Sequence, residues 1–329
     1  FVPPLLFYGK LRPMKPGGIF GNAITDVLYK KDEEIIMSIV KNYETFMAKR
    51  AEFEKNPMSK FWTKQNARYM EPFHMFGNVY YVGDSWVCVH LIDTGDGLLL
   101  IDAGNCGNTA MLIYSIWKAG FDPADVKWLI LSHVHVDHIG GAKFMREMFG
   151  TKIYMGAPDA AMYREHPEKS FVQDSPDLMD ELIAPDVEIQ DGDELTFGSV
   201  KMKFYLVPGH TEGCISFFFD VTEGNRTVRA GYYGGFGFNT LAADYLAEIG
   251  DPQCHMREIY LDSLKKVRDE HVDFFLGNHC INNHMAEKLE KIKNGADSSV
   301  WIDPQEWGSY LDEKRDALLV FMKENPAAK

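Results

Sequence analysis

Apolar positions along the chain fall first into a helical spacing, then into strand-sized runs. Ile36, Ile39, Val40, Tyr43, Phe46 and Met47 recur at three- and four-residue steps, which predicts a helix with one apolar face between an Asp32 cap and Asn56-Pro57. The Pro- and Gly-rich residues 1–31 ahead of it read as an extended arm. From Phe73 the texture becomes strands: Val79–Val82, Trp86–Ile92 and Leu98–Ile101, separated by turns at Gly83-Asp84 and Thr94-Gly95-Asp96-Gly97. A helix follows over Thr109–Ala119, with Met111, Leu112, Tyr114, Ile116 and Trp117 on its inward side. Then come a strand at Trp128–Leu131, a helix at Ala142–Phe149 and a short strand at Lys152–Met155.

Residues 157–183 read as an inserted stretch of short helices and loop. Strands resume at Val187–Ile189, Glu194–Phe197, Val200–Val207, Ile215–Asp220 and Thr227–Gly231. A Gly/aromatic loop (Gly231–Asn239), a helix around His255–Val267 and a last apolar run (Val272–Leu276) complete this half. A closing helix starts at Asp303-Pro304, with Trp307, Tyr310, Leu311, Leu318, Phe321 and Met322 on one face. Both halves run strands and then helix, which predicts layers with helices outside sheets.

Composition narrows the classes of partner. The net charge of −14 and the lack of a Lys/Arg cluster speak against nucleic acid, because gripping phosphates needs a basic field. No run approaches the roughly 20 apolar residues of a membrane span. A small-molecule substrate fits better. The five cysteines are scattered and never form a Cys-x-x-Cys pair, which lowers the case for a disulfide framework and leans toward the cytoplasm. The chain begins at Phe1, so a secreted or periplasmic origin stays open.

The chemistry concentrates at Leu129–Gly141, where an apolar run ends in Ser-His-Val-His-Val-Asp-His. His133 and His135 alternate, so on an extended backbone their rings point to one side. Asp137 and His138 fall where the chain turns. Imidazoles with a carboxylate suit zinc and other borderline divalent ions, and burying so many polar rings unpartnered would cost several kcal/mol. His210, in Pro208-Gly209-His210-Thr211-Glu212-Gly213, and His279, in Gly277-Asn278-His279, also stand at the mouths of apolar strands.

His-Val-His-Val-Asp-His, then Pro-Gly-His-Thr-Glu-Gly, then Gly-Asn-His, preceded by Asn78–Gly83 and Leu99–Gly104, resembles the metallo-β-lactamase superfamily in order and spacing from Phe73 to His284. The resemblance implies an α/β fold, a four-layered αββα sandwich, over residues 71–285. An N-terminal arm and helix (1–70) and a C-terminal helical extension (286–329) would be added to it. It implies two zinc ions: one on His133, His135 and His210, the other on Asp137, His138 and His279. The second set is similar to that of the all-histidine β-lactamase subclass, which lacks the cysteine ligand. Asp137 would also orient the nucleophile as a catalytic residue, and Asp102 would steady the ligand loop.

One departure bears on the substrate. Many hydrolases of the family carry an aspartate bridging both metals after the strand here occupied by Val228–Tyr233; this chain has Gly234-Gly235-Phe236-Gly237 there, and Asp244 is too far along. A weaker, partly filled second site is therefore expected. The implied activity is zinc-dependent hydrolysis of a cyclic or activated amide or ester, with a β-lactam the leading substrate. A lactonase or esterase, and an iron-dependent oxidoreductase of the same fold, are the alternatives. Phe236, Tyr232, Tyr233 and Phe238 fit either an apolar pocket wall or core, and the N-terminal extension offers a contact for a homo-oligomer.

Overall fold

The apolar runs pair into two sheets in the computed structural model, which describes residues 37–38, 40–52, 55, 65–105, 107–171 and 184–327. The first sheet lays β1 (Phe73–Phe76), β2 (Val79–Tyr81), β3 (His90–Asp93), β4 (Leu98–Ile101), β5 (Val126–Leu131), β6 (Lys152–Gly156) and β7 (Val187–Ile189) side by side in chain order. Pairing is antiparallel as far as β4 and parallel from β4 to β7. The second sheet has the order β12-β11-β10-β9-β8, built from β8 (Glu194–Phe197), β9 (Val200–Leu206), β10 (Ile215–Glu223), β11 (Arg226–Tyr233) and β12 (Phe274–Leu276). Only β11 and β12 pair in parallel there.

Helices close both outer faces. Leu112 and Ile116 of α1 (Thr109–Lys118), Ala142 and Met145 of α2 (Ala142–Phe149) and Met162 of α3 (Ala157–Glu165) bury one face of the first sheet with Leu100, Leu129 and Ile153. After α4 (Ala243–Glu248), the second sheet's outer face packs on α5 (His255–Val267) and, beyond α6 (Met285–Lys293), on α7 (Glu306–Glu324). Along β10 the side chains alternate: Phe217 and Phe219 enter the core between the sheets, while Phe218 meets Trp307 under the helices. The result is a four-layered αββα sandwich. Among the described residues no helix is long and apolar enough to cross a membrane.

Local departures from the sequence pattern have physical causes. The run Trp86–Ile92 is not one strand, because the Asp84 carboxylate accepts the Trp86 and Val87 N–H groups and bends residues 84–89 before β3 starts. In α1 the buried face is Leu112, Ser115 and Ile116, whereas Tyr114 and Trp117, three apart on the opposite side, are 49% and 62% exposed. The closing helix begins at Glu306 rather than at the proline, since Asp303 caps a preceding turn by accepting the Gln305 N–H. The chain divides into Phe1–Phe61 and Trp62–Lys329. In the first unit a helix runs through residues 40–52, with Val40, Tyr43, Phe46 and Met47 exposed; its predicted cap and stop lie outside the described residues.

Trp307 is fully buried between the rings of Phe218 and Phe275, and its indole N–H donates to the Val267 carbonyl at 3.0 Å. Trp307→Ala should therefore cost about 3–5 kcal/mol of stability in a urea titration. A loss below about 1 kcal/mol, the size of a surface change, would show that α7 is not part of the core.

Candidate metal centre

The topology delivers every candidate ligand to one edge. Strands β4 and β5 run parallel, and β9, β11 and β12 share a direction, so their C-terminal ends open on the same side of the sandwich. Ser132, His133 and His135 follow β5, His210 follows β9, and His279 follows β12. The two sheets meet here, where the Ile215 N–H donates to the Ser132 carbonyl at 3.1 Å.

The donor atoms of His133, His135 and His210 lie within 4.8 Å of one another, and so do those of His133, Asp137 and His138. His279 joins the second group, with its Nε2 3.2 Å from His138 Nε2 and 3.5 Å from Asp137 Oδ2. His138 Nε2 is likewise 3.5 Å from Asp137 Oδ2. The structure thus brings all six residues singled out in the sequence together, and His133 stands within reach of both groups.

Asp102 organises them. Fully buried at the end of β4, with φ of 61°, it accepts from the Ser132 N–H (2.7 Å), the Ser132 hydroxyl (2.9 Å), the Tyr232 hydroxyl (2.5 Å) and His138 Nδ1–H (2.8 Å). Because the Ser132 proton goes to Asp102, Ser132 Oγ accepts from His133 Nδ1–H at 3.0 Å. His210 Nδ1–H donates to the Gly237 carbonyl at 2.9 Å. In neutral His133, His138 and His210 the Nε2 lone pair is then left facing the group. The buried Nε2 of His133 has no hydrogen-bond partner, a cost of about 1–3 kcal/mol that a cation would relieve, while His135 turns Nδ1 toward the group, 2.8 Å from His210 Nε2. The donor set therefore fits a divalent metal such as zinc.

Burial, and then the neighbouring imidazoles, hold His133, His135 and His279 well below the ordinary imidazole range, and burial brings His210 to about 4. His138 goes the other way: burial pulls it down, but the carboxylates of Asp137 and Asp102 prevail and raise it.

Sequence reasoning missed Asp159, which reads along the chain as an ordinary first-turn acid of α3. Its buried carboxylate accepts the Val134 N–H (3.0 Å), between two ligands, and the Thr211 hydroxyl (2.7 Å) and Gly213 N–H (2.6 Å), beside a third. It straps the His133–His135 loop to the His210 turn. Burial pushes it up to about 7 against the pull of those three donors. The aromatic residues divide. Tyr232 and Tyr233 are core, whereas Phe236 lies 4.8 Å from the His279 ring, Trp86 5.1 Å from the same ring, and Phe171 5.0 Å from His135.

The loop after β11 is crowded at Gly235. It has φ of +72°, and a Cβ there would meet Cys214 Sγ at 2.6 Å and His210 Cδ2 at 2.7 Å, so no side chain fits beside His210. Asp244 sits exposed on α4, one turn or more beyond this loop.

Comparisons with known proteins agree with this geometry. A family model described as "Metallo-beta-lactamase superfamily" matches residues 87–269. BJP-1, a subclass B3 metallo-beta-lactamase of Bradyrhizobium japonicum, superposes with a TM-score of 0.70 at 25% identity, covering 82% of this chain and 98% of that one. Native FEZ-1 from Legionella gormanii gives 0.69 at 25% identity, over 79% and 98%. By sequence, a hydroxyacylglutathione hydrolase, GloC, of Haemophilus influenzae is 27% identical over 152 residues, 46% of this chain and 68% of that protein. A probable metallo-hydrolase of Burkholderia pseudomallei is 26% identical over 136 residues, which are 40% of this chain and only 42% of that protein's length.

Two outcomes follow. Rings whose folded pKa is lowered bind protons more tightly when unfolded. Their contribution is complete above the unfolded value near 6.5 and is lost as pH falls toward the folded one. His210 and His90, both near 4 from burial, should each add about 1.4 kcal/mol per pH unit to the loss between those values in metal-free protein. Urea titrations at pH 7.5, 6 and 5 measure it; stability independent of pH would contradict the lowered values. Separately, Asp159→Asn should weaken zinc binding about 10-fold or more in competition titrations with a chelating dye. Unchanged affinity would show that the ligand loops hold without the strap.

Proposed function

The chain belongs to the metallo-beta-lactamase superfamily, and from that premise we propose that it is a zinc-dependent hydrolase opening a cyclic or activated amide or ester, with a β-lactam as leading substrate. The observation that carries this reading is the convergence of lone pairs from His133, His135 and His210 beside the Asp137–His138–His279 group, all at one sandwich edge. His133, His135 and His210 would hold one ion, and Asp137, His138 and His279 the other. When bound, zinc supplies the Lewis acidity that polarises a carbonyl and makes water a nucleophile near neutral pH.

The chain's own groups set the rest. Asp137 keeps 16% of its side chain exposed, so its carboxylate faces the opening, where it can orient a water molecule and accept its proton. Asp102 and Ser132 hold His138 and His133 in the tautomers that present Nε2, so the rings need no reorganisation before reaction. Phe236, Trp86 and Phe171 form an apolar rim against which a substrate's non-polar part can lie. A β-lactam is favoured by the likeness to BJP-1 and FEZ-1 along nearly their whole length, and by the absence of an acid at Gly235. The hydroxyacylglutathione hydrolases among the sequence relatives support a second reading, a thioester or lactone substrate. A small-molecule substrate remains the proposed partner in either case.

Cephalosporin, homoserine lactone, aryl ester and hydroxyacylglutathione assayed side by side on zinc-loaded protein test the reading, with the largest kcat/KM expected for the cephalosporin. Turnover of none would overturn hydrolysis of these carbonyls. His133→Ala should lose zinc and more than 100-fold in activity together, since an immediate ligand matters more than its supporting partners. A metal-free mutant that stays fully active would contradict the assignment.

A further inference from the structure

Behind His279 lie two thiols that the hydrolytic reading does not use. Cys88 Sγ and Cys280 Sγ are 3.9 Å apart. Both are free; Cys88 is fully buried and Cys280 is 9% exposed. Cys280 Sγ also contacts the Tyr81 hydroxyl at 3.2 Å and the Asp84 carbonyl at 3.4 Å. The backbone around them is a short ladder centred on the ligand. Val87 bridges His279, the Cys88 N–H donates to the Asn278 carbonyl at 2.9 Å, and the Cys280 N–H donates to the Trp86 carbonyl at 3.0 Å. Each cysteine is thus one residue from the bridge, on either strand, and no other side chain separates the sulfurs.

We propose that Cys88 and Cys280 are a dithiol that closes to a disulfide under hydrogen peroxide, and that closure weakens the Asp137–His138–His279 metal site. The proposal's second half rests on the metal-binding reading; its first half does not. Cys280, the more exposed residue of the two, attacks the peroxide oxygen; the O–O bond breaks, water leaves, and a sulfenic acid remains on Cys280. Cys88 gives up its proton and attacks that sulfur. The S–S bond forms, the S–O bond breaks, and the hydroxide leaves as a second water with the proton. One peroxide is reduced by two electrons and two thiols are oxidised. Closing the sulfurs from 3.9 Å to the roughly 2.05 Å of a disulfide draws Cys280 away from Tyr81 and Asp84. His279 is bonded directly to Cys280, and its Nε2 sits only 3.5 Å from Asp137, so the second group loses the position of its His279 donor. The first group, on the β5 and β9 loops, is not attached to this ladder.

The test uses the full chain loaded with zinc, treated with hydrogen peroxide and passed through a desalting column, then divided between peptide mapping and metal analysis. The expected map contains a Cys88–Cys280 cross-linked peptide two hydrogens lighter than its parts, with about one zinc equivalent lost and about one retained. Dithiothreitol with added zinc should restore both. Cys280 recovered as free thiol or as sulfinic acid, without the cross-link, would overturn the proposal; so would a cross-linked protein that keeps its full zinc content. Cys88→Ala, or Cys88→Ser if the alanine variant does not fold, should keep its zinc under peroxide and accumulate a Cys280 sulfenic acid that a 1,3-diketone traps. Zinc loss from that variant equal to the parent's would exclude the disulfide as the cause. Reduced protein that binds no zinc at all strikes at the metal reading, whereas a missing cross-link strikes at this proposal alone.

Discussion

A single buried carboxylate carries the arrangement. Asp102 takes four donors, from Ser132, Tyr232 and His138, at the seam where β4 and β5 of one sheet meet β11 of the other. An unpaired charge there would be prohibitive, so the surrounding groups are fixed by the need to satisfy it. Its backbone, with φ of 61°, lies in the left-handed region that few non-glycine residues adopt, aspartate more readily than most. From this hub the tautomers of His138 and, through Ser132, of His133 follow, and with them the direction in which the ring lone pairs point.

The second constraint is spatial. Parallel pairing of β4 with β5, and of β11 with β12, together with the shared direction of β9 and β11, sends the three ligand-bearing loops after β5, β9 and β12 to one edge, although the residues are far apart in the chain. Asp159 then ties the β5 loop to the β9 turn, and Gly235 lets the β11 loop pass against His210 where a side chain would collide. That close passage leaves no room for an acid at Gly235. The second group of donors consists of Asp137, His138 and His279, with Phe236 beside the His279 ring.

Much of this was legible along the chain, for definable reasons. The six donors were visible because imidazoles at the ends of apolar runs have few structural uses, and the layers were visible because Phe217-Phe218-Phe219 and its like alternate faces. Asp159 was not legible: a first-turn acid has the same local signature whether it faces solvent or receives three buried donors. Nor was the bend at residues 84–89, since an apolar run does not reveal that Asp84 captures two of its N–H groups. The outward turn of Tyr114 and Trp117 was hidden for a similar reason, because aromatic residues satisfy a helical spacing on either face. The pairing of Cys88 with Cys280, 192 residues apart, exists only in three dimensions.

The chemistry of this edge depends on whether these side chains share a pair of ions. Anomalous diffraction at the zinc edge from zinc-loaded crystals measures that directly. Two peaks are predicted, one about 2.0–2.2 Å from the donor atoms of His133, His135 and His210, the other equally close to those of Asp137, His138 and His279. No peak among these residues, or peaks held elsewhere on the chain, would contradict it.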